Sequence, residues 1–192
     1  MGTLLHNKTQ NQSKREAIVQ TAMNLFSDHG FDATPMPFLA EKAGVGTGTI
    51  YRYFPSKEAL LNEIYRNYKL KVESYVLDGF NEQETVEKKF KHLCSRWIEI
   101  SIQDPKLFQF LELQNYLPYL DDESKNIEEN FMKIIVQFVK DGQKRNLLMQ
   151  GDPLLIFSMV TGAITKVFKS QIKWTNLSRK SCIDFCWRMV AK

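Results

Sequence analysis

The chain has 192 residues, of which 43% are hydrophobic and 25% are charged, so its composition excludes a wholly disordered protein and allows one sizeable domain or two small ones. The net charge is +4, and the excess lies mainly in residues 1–72, which contain nine Lys and Arg against six Asp and Glu. This bias is compatible with an N-terminal module that faces phosphate groups.

The start of the chain is polar and lacks the apolar core of a signal peptide, and no apolar run elsewhere is long enough to span a bilayer. We therefore expect a cytoplasmic protein without a membrane partner, in which residues 1–12 form a flexible arm. The cysteines, Cys94, Cys182 and Cys186, include no CxxC pair. This pattern favours reduced core thiols over a disulfide or a metal site, so we expect neither a metal nor a cofactor.

The first predicted elements are two N-terminal helices. Residues 14–29 place apolar side chains on one helical face and end at Gly30, a suitable residue for closing a helix. Thr34 before Pro35 is typical of an N-cap followed by a first-turn proline. This pair predicts a second, short helix that ends at Gly44.

Two further helices are predicted before residue 80. Pro37 leaves the start of the second helix open by about a turn, because the residue before a proline avoids the helical region. A third helix over residues 47–53 follows it. Ser56 is then placed to cap a long fourth helix, which runs toward Leu77 and ends at Gly79.

The rest of the chain also has helical spacing. Asp104-Pro105 and Asp152-Pro153 each combine a capping carboxylate with a first-turn proline, which is a start signal for a helix. Five more helical segments are predicted, over residues 84–102, 105–115, 122–146, 152–172 and 178–191. No convincing strand pattern appears, so the predicted fold class is all-α with about nine helices.

The segment GVGTGTIYRYFPSK, residues 44–57, combines three glycines with aromatic and cationic side chains. When residues 47–54 are wound as a helix, Ile50 and Phe54 fall on one side and can pack on the preceding helices. The other side carries Thr47, Gly48, Tyr51 and Arg52. A hydroxyl, a bare backbone, a phenol and a guanidinium suit a helix in the major groove of DNA. From these residues alone, a helix-turn-helix and an ordinary Gly-rich turn both remain open.

Residues 14–60 resemble the DNA-binding domain of the TetR family of bacterial transcriptional regulators. The motifs that carry the resemblance are GFDAT at 30–34, LAEKAGV at 39–45, GTIYRYF at 48–54 and SKEALL at 56–61. The resemblance implies an N-terminal three-helix, helix-turn-helix DNA-binding domain over residues 1–55. It also implies a larger C-terminal helical domain for regulation and dimerisation over residues 56–192.

By position, the resemblance implies that residues 37–43 form the supporting helix and residues 47–53 the recognition helix. The positions that it assigns to DNA contacts are Thr34, Thr47, Gly48, Tyr51, Arg52, Tyr53 and Lys57. Arg52 stands where base contacts vary among family members, whereas the others mainly contact the DNA backbone. Phe38 and Gly46 depart from the polar residues that are usual there, which affects the phosphate contacts expected near them.

In the family, the C-terminal helices bind a small inducer and form the dimer. Side chains that can line an apolar cavity with polar anchors are Trp97, Phe108, Leu111, Gln114, Tyr116, Phe138, Met159 and Thr161. The same aromatic stripes are also typical of an ordinary helical core. The last two helices carry surplus apolar surface, which favours pairing with a second copy of the chain. The residues expected in that homodimer interface are Phe157, Ile164, Phe168, Phe185 and Trp187.

These features predict a ligand-responsive, DNA-binding transcriptional regulator, in the first instance a repressor that a small, largely apolar inducer releases from a palindromic operator. A regulator without an inducer and an activator remain as alternatives. The GxSxG, Walker A and HExxH motifs do not occur in the sequence, so we do not expect an enzyme. The expected partners are a double-stranded operator, a small-molecule effector and a second copy of the chain.

Overall fold

The computed structural model describes residues 3–112, 116–170 and 172–192, and it describes the side chains of the first helix from Ser13 onward. The helices are α1 Thr3–His29, α2 Met36–Lys42, α3 Thr47–Tyr53, α4 Lys57–Leu77, α5 Val86–Gln103, α6 Pro105–Glu112, α7 Asp122–Lys144, α8 Pro153–Lys169 and α9 Asn176–Val190. A short 3-10 turn covers Leu117–Tyr119. The described ranges contain no strand, only an isolated bridge between Leu148 and Ala191. The predicted all-α class with nine helices is thereby confirmed.

The first two helices differ in their starting residues from the sequence-based prediction. Helix α1 starts at Thr3, within the segment expected to be a flexible arm, because no glycine or proline interrupts residues 3–29. The N-cap of α2 is Pro35, with an extended ψ of 145°, and Thr34 is not the cap. The Thr34 hydroxyl instead donates to the Gly30 carbonyl at 2.8 Å, in the preceding turn.

Local capping explains the boundaries of the later helices. Thr85 accepts a hydrogen bond from the Lys88 amide and starts α5, and Asp152 accepts one from the Leu154 amide and starts α8, as its sequence signal predicted. Helix α9 begins at Asn176, earlier than expected, because Thr175 and Ser178 form a reciprocal capping box.

The chain forms two compact units. The first comprises the chain up to Tyr68 together with Lys106–Lys125, and the second comprises Lys69–Pro105 together with Asn126–Lys192. These units differ from the expected division at residue 55, since most of α4, α6 and the 3-10 turn belong with the N-terminal helices. The division into functional domains 1–55 and 56–192 stays an expectation.

The first unit has one hydrophobic core that its helices share. Phe26 on α1, Leu39 on α2, Ile50 on α3 and Leu61 on α4 are all completely buried in it. The segment 106–125 contributes to the same core through Phe110, Tyr116 and Leu120. Residues far from the N-terminus in sequence therefore complete the packing of the N-terminal helices.

Hydrogen bonds also hold the segment 106–125 to this core. The Gln109 side-chain Nε2 donates to the Ser27 carbonyl at 2.6 Å, and the Tyr119 hydroxyl donates to the Asp32 carboxylate at 2.6 Å. The buried Asn62 side chain donates to the Tyr119 carbonyl and accepts from the Asp121 amide, both at 2.9 Å. These hydrogen bonds give the buried Asn62 amide the partners that a buried polar group needs.

The second unit packs α5 against α9. The Phe90 and Trp187 rings lie 5.4 Å apart, and the Lys91 ammonium pairs with the Asp184 carboxylate at 2.8 Å. Gly142 on α7 lies directly beneath the buried Leu148, and a Cβ at this glycine would lie 2.5 Å from Leu148 Cδ1. The close approach of Leu148 to the α7 backbone therefore requires a glycine at position 142.

A partly buried cluster of three charged groups joins α4 to α7 within the second unit. The Lys69 ammonium pairs with the Glu128 carboxylate at 2.7 Å and lies 5.2 Å from the Phe131 ring centroid. Glu73, one turn further along α4, has one carboxylate oxygen that is buried without a hydrogen-bond partner. Burial raises the pKa of Glu73 to about 7, the Lys69 ammonium opposes the rise and Glu128 adds to it.

Within the described ranges, no helix combines the length and the apolar character that a bilayer span needs. The same residues bring together no group of three or more metal-binding side chains of the His, Cys, Asp and Glu types.

We expect Gly142→Ala to destabilise the protein by about 1–3 kcal/mol, because the new methyl group overlaps the buried Leu148 side chain and lies within 3.3 Å of Val86 as well. The matched change is Gly162→Ala on α8, where a Cβ meets no atom within 4 Å. It should leave stability unchanged or raise it by about 0.5–1 kcal/mol. Urea unfolding of both variants measures the difference, and equal stabilities would contradict the packing at Gly142.

Glu73 should make stability depend on pH. Its folded-state pKa of about 7 lies above the ordinary value of 4.5, so its contribution to stability is present at low pH and is lost as the pH rises to about 7. Glu73→Gln should remove this dependence and raise stability at pH 8 by roughly 1 kcal/mol after allowance for solvent screening. Urea unfolding between pH 5 and 8 tests this, with the exposed Glu129→Gln as a control whose pH slope should match the wild type.

Candidate nucleic-acid interface

Helices α2 and α3 are joined by a tight turn built on glycine. The Gly44 amide donates to the Glu41 carbonyl at 3.1 Å, and the Val45 amide donates to the Ala40 carbonyl at 3.0 Å, so both bonds close the end of α2. Gly44 has a φ of +66°, a conformation that side chains with a Cβ rarely adopt. Glycine at position 44 therefore allows a short connection between the two helices.

Helix α3 is amphipathic in the orientation that its sequence predicts. Ile50 and Phe54 are buried in the first unit's core, with exposed fractions of 0% and 2%. Tyr51 is 49% exposed, Arg52 is exposed and Thr47 is half-buried. The phenol, the guanidinium and the threonine hydroxyl therefore lie on the side of α3 away from its two buried anchors, which confirms the expected division of the helix.

Gly48 leaves a bare strip of backbone on the exposed side of α3. A Cβ at this position meets no atom within 4 Å, so nothing inside the described protein requires a glycine here. Glycine is a poor helix former, and alanine in its place would favour the helix. A helix that nevertheless carries glycine on its open face is suited to close approach by a partner from outside.

Thr34 and Lys57, both expected to contact DNA, point their polar groups into the protein. Thr34 is completely buried, with its hydroxyl bonded to the Gly30 carbonyl. The Lys57 ammonium donates to the Phe31 carbonyl and lies 4.3 Å from the Phe31 ring centroid. Burial lowers the pKa of Lys57, and the nearby carboxylates of Asp32 and Glu58 oppose this change. Tyr53, the last residue of α3, is half-buried.

An apolar cavity of about 60 Å³ lies inside the second unit. Of the residues expected in an effector pocket, Trp97, Phe138 and Thr161 line it. Phe108, Leu111 and Tyr116 belong instead to the first unit, Met159 is 40% exposed and Gln114 lies outside the described residues. A helical stripe identifies an apolar face but not the neighbour that covers it, so the sequence does not show that Phe108, Leu111 and Tyr116 lie away from this cavity. Their assignment to an effector pocket stays a prediction.

The residues expected at the dimer interface divide between the interior and the surface. Phe157 and Ile164 line the cavity, Trp187 packs on Phe90 and Phe168 is half-buried. Phe185 on α9 is 65% exposed. The other exposed apolar side chains of α8, α9 and the connection between them are not among the residues predicted for the interface, and Met159 is predicted for the effector pocket instead. They are Leu154, Leu155, Met159, Ile172 and Leu177.

The segment 106–125 is a further part of the interface's support that sequence reasoning missed. It packs Phe110 into the core that also holds Ile50, and its Tyr119 ring lies 4.4 Å from that of Phe31. The aromatic residues of the sequence LFQFLELQNYLPYL at 107–120 are the signal that marks it as buried. Nothing in the local pattern says that this segment packs with α1–α4.

A short helix anchored by its apolar side, following a supporting helix across a glycine turn, defines the class of helix-turn-helix proteins. Two family models agree with this class. The model of the bacterial regulatory proteins of the tetR family matches residues 18–64, and that of the tetracyclin repressor-like C-terminal domain matches residues 65–191. The chain belongs to the TetR family of bacterial transcriptional regulators, which confirms the resemblance seen in the sequence.

Individual proteins are similar to this chain over different lengths. The HTH-type transcriptional repressor KstR2 of Mycolicibacterium smegmatis is 35% identical over 60 residues, which is 31% of this chain and 29% of that repressor. A TetR family regulator from Marinobacter aquaeolei VT8 has the same fold with a TM-score of 0.77 and 20% identity, over 96% of this chain and 99% of its own. AibR, solved with isovaleryl coenzyme A and operator DNA, gives a TM-score of 0.72 at 18% identity, over 92% and 97% of the two chains.

We expect Gly48→Ala to separate folding from DNA binding. Unfolding should be unaffected or slightly harder, because the added methyl group meets no protein atom. Affinity for DNA should fall roughly tenfold, because the same methyl group stands between the α3 backbone and a duplex. Thermal unfolding and fluorescence anisotropy with a labelled duplex measure the two effects, and unaltered affinity would show that no partner approaches this strip of backbone.

Proposed function

We propose that this protein is a homodimeric transcriptional repressor that binds a pseudo-palindromic operator and leaves it when a small, largely apolar effector binds. The observation that carries the proposal is the orientation of α3, in which buried Ile50 and Phe54 leave Tyr51 and Arg52 exposed. No catalytic role is proposed, since the family consists of regulators. The similarity to KstR2 of Mycolicibacterium smegmatis covers less than a third of that repressor. Repressor activity of the whole chain is therefore part of the proposal.

The exposed side of α3 offers the groups that we assign to DNA. The Arg52 guanidinium can donate two hydrogen bonds to a guanine or bind a phosphate, and the Tyr51 and Thr47 hydroxyls can bind phosphate oxygens. Tyr53 and Lys57 are assigned to the DNA backbone, and the Lys57 ammonium must leave the Phe31 carbonyl to reach it. We assign Thr34 an indirect role, in which its bond to Gly30 holds the turn before α2.

The effector is assigned to the apolar cavity of the second unit. Its volume of about 60 Å³ is far below that of a typical ligand pocket, about 300–1,000 Å³. An effector must therefore part the helices around it, and α4 is one of them through Val76. Because α4 is one continuous helix from Lys57 to Leu77, a displacement near Val76 can reach α1–α3 through it. We call α1–α3 the reading head. The binding of a coenzyme A thioester by AibR, a protein of the same fold, supports such a role.

Dimerisation is assigned to α8 and α9, which carry apolar side chains on their open surfaces. Phe185, Leu155 and Leu177 each expose more than half of their surface. Such side chains gain free energy when a second copy of the chain covers them. A two-fold dimer would place two α3 helices on half-sites about one helical turn, roughly 34–36 Å, apart or a multiple of that distance.

The small cavity also favours a second candidate function, a DNA-binding regulator without an effector. A core that holds only about 60 Å³ of free space is already close to complete packing. The two candidates differ in one measurable property. An effector that binds the second unit should raise the melting temperature and release DNA, whereas a regulator without an effector should respond to no compound in a library screened by both readouts.

Selection of duplexes from a random-sequence library tests the DNA-binding proposal and identifies the operator in the same experiment. The protein should enrich a sequence with two inverted half-sites, because a two-fold dimer presents two equal α3 helices. Placement of the enriched site in a promoter then distinguishes repression from activation by the sign of the change in transcription. Enrichment of no sequence at moderate salt would refute the proposal.

Two substitutions on α3 should weaken binding in different ways. Arg52→Ala should cost about 1–3 kcal/mol and change the preferred base in each half-site, whereas Tyr51→Phe should weaken binding to all duplexes alike. Lys133→Gln, an exposed charge loss on α7 of the other unit, is the control and should leave affinity unchanged. Anisotropy titrations against the selected site and its single-base variants measure these effects. An unaltered base preference in the Arg52 variant would confine that residue to phosphate contacts.

A further inference from the structure

A second pocket of about 200 Å³ lies in the second unit, where the connection between α4 and α5 meets the first turns of α5. Its polar lining includes Asn81, Lys88, Lys89 and His92. We call it the basic pocket. The one carboxylate among its described lining residues, Glu84, is paired with Lys88 at 2.9 Å. The pocket therefore has positive charge from Lys89 that its own lining does not neutralise.

Lys89 is held in place by aromatic rings and not by an anion. Its ammonium lies 5.5 Å from the centroid of Phe80 and 5.6 Å from that of Phe138. The side chain is half-buried, and no ion pair links it to a carboxylate of the described residues. A partly desolvated cation gains much from an anionic partner, because the surrounding apolar groups screen the attraction weakly.

His92 adds an unused polar atom beside Lys89. Its Nε2 is buried and forms no hydrogen bond with any described residue. The ring lies 6.5 Å from that of Phe80, and its Cε1 would lie 3.4 Å from a Cβ at Gly79. Gly79 has a φ of +76°, which favours glycine there, and it brings the backbone next to the imidazole. Buried polar atoms normally have partners, so an unpaired nitrogen in a pocket marks a position where a ligand can form a hydrogen bond.

The basic pocket and the apolar cavity share a wall. Phe138 lines the cavity, and its ring meets that of Phe80 edge to face at 6.0 Å, while Phe80 lines the basic pocket. Phe90, next to Lys89 in sequence, also lines the cavity. A cation and an unpaired imidazole nitrogen therefore stand on one side of two aromatic rings, and an apolar cavity lies on the other.

We propose that the basic pocket binds the anionic head of an amphipathic effector whose apolar chain enters the cavity by parting the Phe80 and Phe138 rings. The head is a carboxylate or a phosphate, held by the Lys89 ammonium and the His92 Nε2 atom. The inference rests on the proposed effector response and deepens it by naming the chemical class of the effector. An apolar chain alone would gain nothing from the basic pocket, and an inorganic anion alone would gain nothing from the cavity.

Three probes of equal chain length test the head group: decanoate, decyl phosphate and decanol. Calorimetric titration into the full-length protein should show that at least one anion binds ten times or more tightly than decanol, the gain that a charge-assisted hydrogen bond gives. The stronger of the two anions identifies the head as carboxylate or phosphate. Equal binding of all three probes, or binding of none, would overturn the proposal.

Variants locate the binding of the head. Lys89→Gln should weaken binding of the preferred anion roughly tenfold and leave decanol unchanged, because only the charge-assisted bond is lost. His92→Leu is the second variant. It should weaken binding of the same anion and leave binding of decanol unchanged. Lys140→Gln removes an exposed charge on α7 and should alter neither. Circular dichroism verifies the fold of each variant, and equal anion affinity in Lys89→Gln and Lys140→Gln would place the head elsewhere.

The outcome for the site can be separated from the outcome for regulation. Anion binding that depends on Lys89 and also weakens binding to the selected operator supports both the site and the effector response. Anion binding that depends on Lys89 but leaves operator binding unchanged supports the site and refutes effector control. Operator binding by a protein that binds none of the probes refutes the site and leaves DNA recognition intact.

Discussion

The burial of Ile50 and Phe54 is the interaction on which the rest of the reading head depends. Helix α3 has seven residues, and an isolated helix of that length is not stable in water. Its position therefore comes from the two anchors, each of which gains about 1.5–3 kcal/mol on full burial. Because the anchors are four residues apart, they fix one side of the helix inward and hold Tyr51 and Arg52 outward.

The anchors are held by more of the chain than the three N-terminal helices. Phe110, Tyr116 and Leu120 lie in the same core, so the segment 106–125 is part of the reading head's support. This segment follows α5 directly, because α5 ends at Gln103 and α6 begins at Pro105. Helix α5 carries cavity residues such as Trp97. The backbone thus runs from the helices that line the cavity to the N-terminal helices through α5 and α6 as well as through α4. The proposed effector would therefore have two covalent routes by which to act on α3.

Local sequence patterns correctly predicted those features that depend on neighbouring residues, which are helix starts, turns and the buried side of a helix. Asp152 and Pro153 predicted the start of α8, and the glycines predicted the turn before α3. Helical periodicity predicted which side of α3 is buried. Long-range packing decided the rest. Phe108 and Tyr116 have the character of cavity residues but belong to the other unit, and the Lys57 ammonium bonds to a carbonyl 26 residues away. A single sequence does not determine which helix packs on which apolar face, so local patterns could not place those residues.

The size of the cavity bears on how an effector can act. Protein interiors are nearly incompressible, so a ligand that fits into about 60 Å³ would leave the surrounding helices where they are. Such a ligand fits the undisplaced state without any change, so its size gives it no preference for a displaced state. A ligand larger than the cavity has to displace Val76, Phe90 or Phe138 and thereby binds only the displaced state. Tight packing around a small cavity would therefore give a bulky effector its preference for the displaced state, and that preference is what would couple effector binding to a movement of the helices.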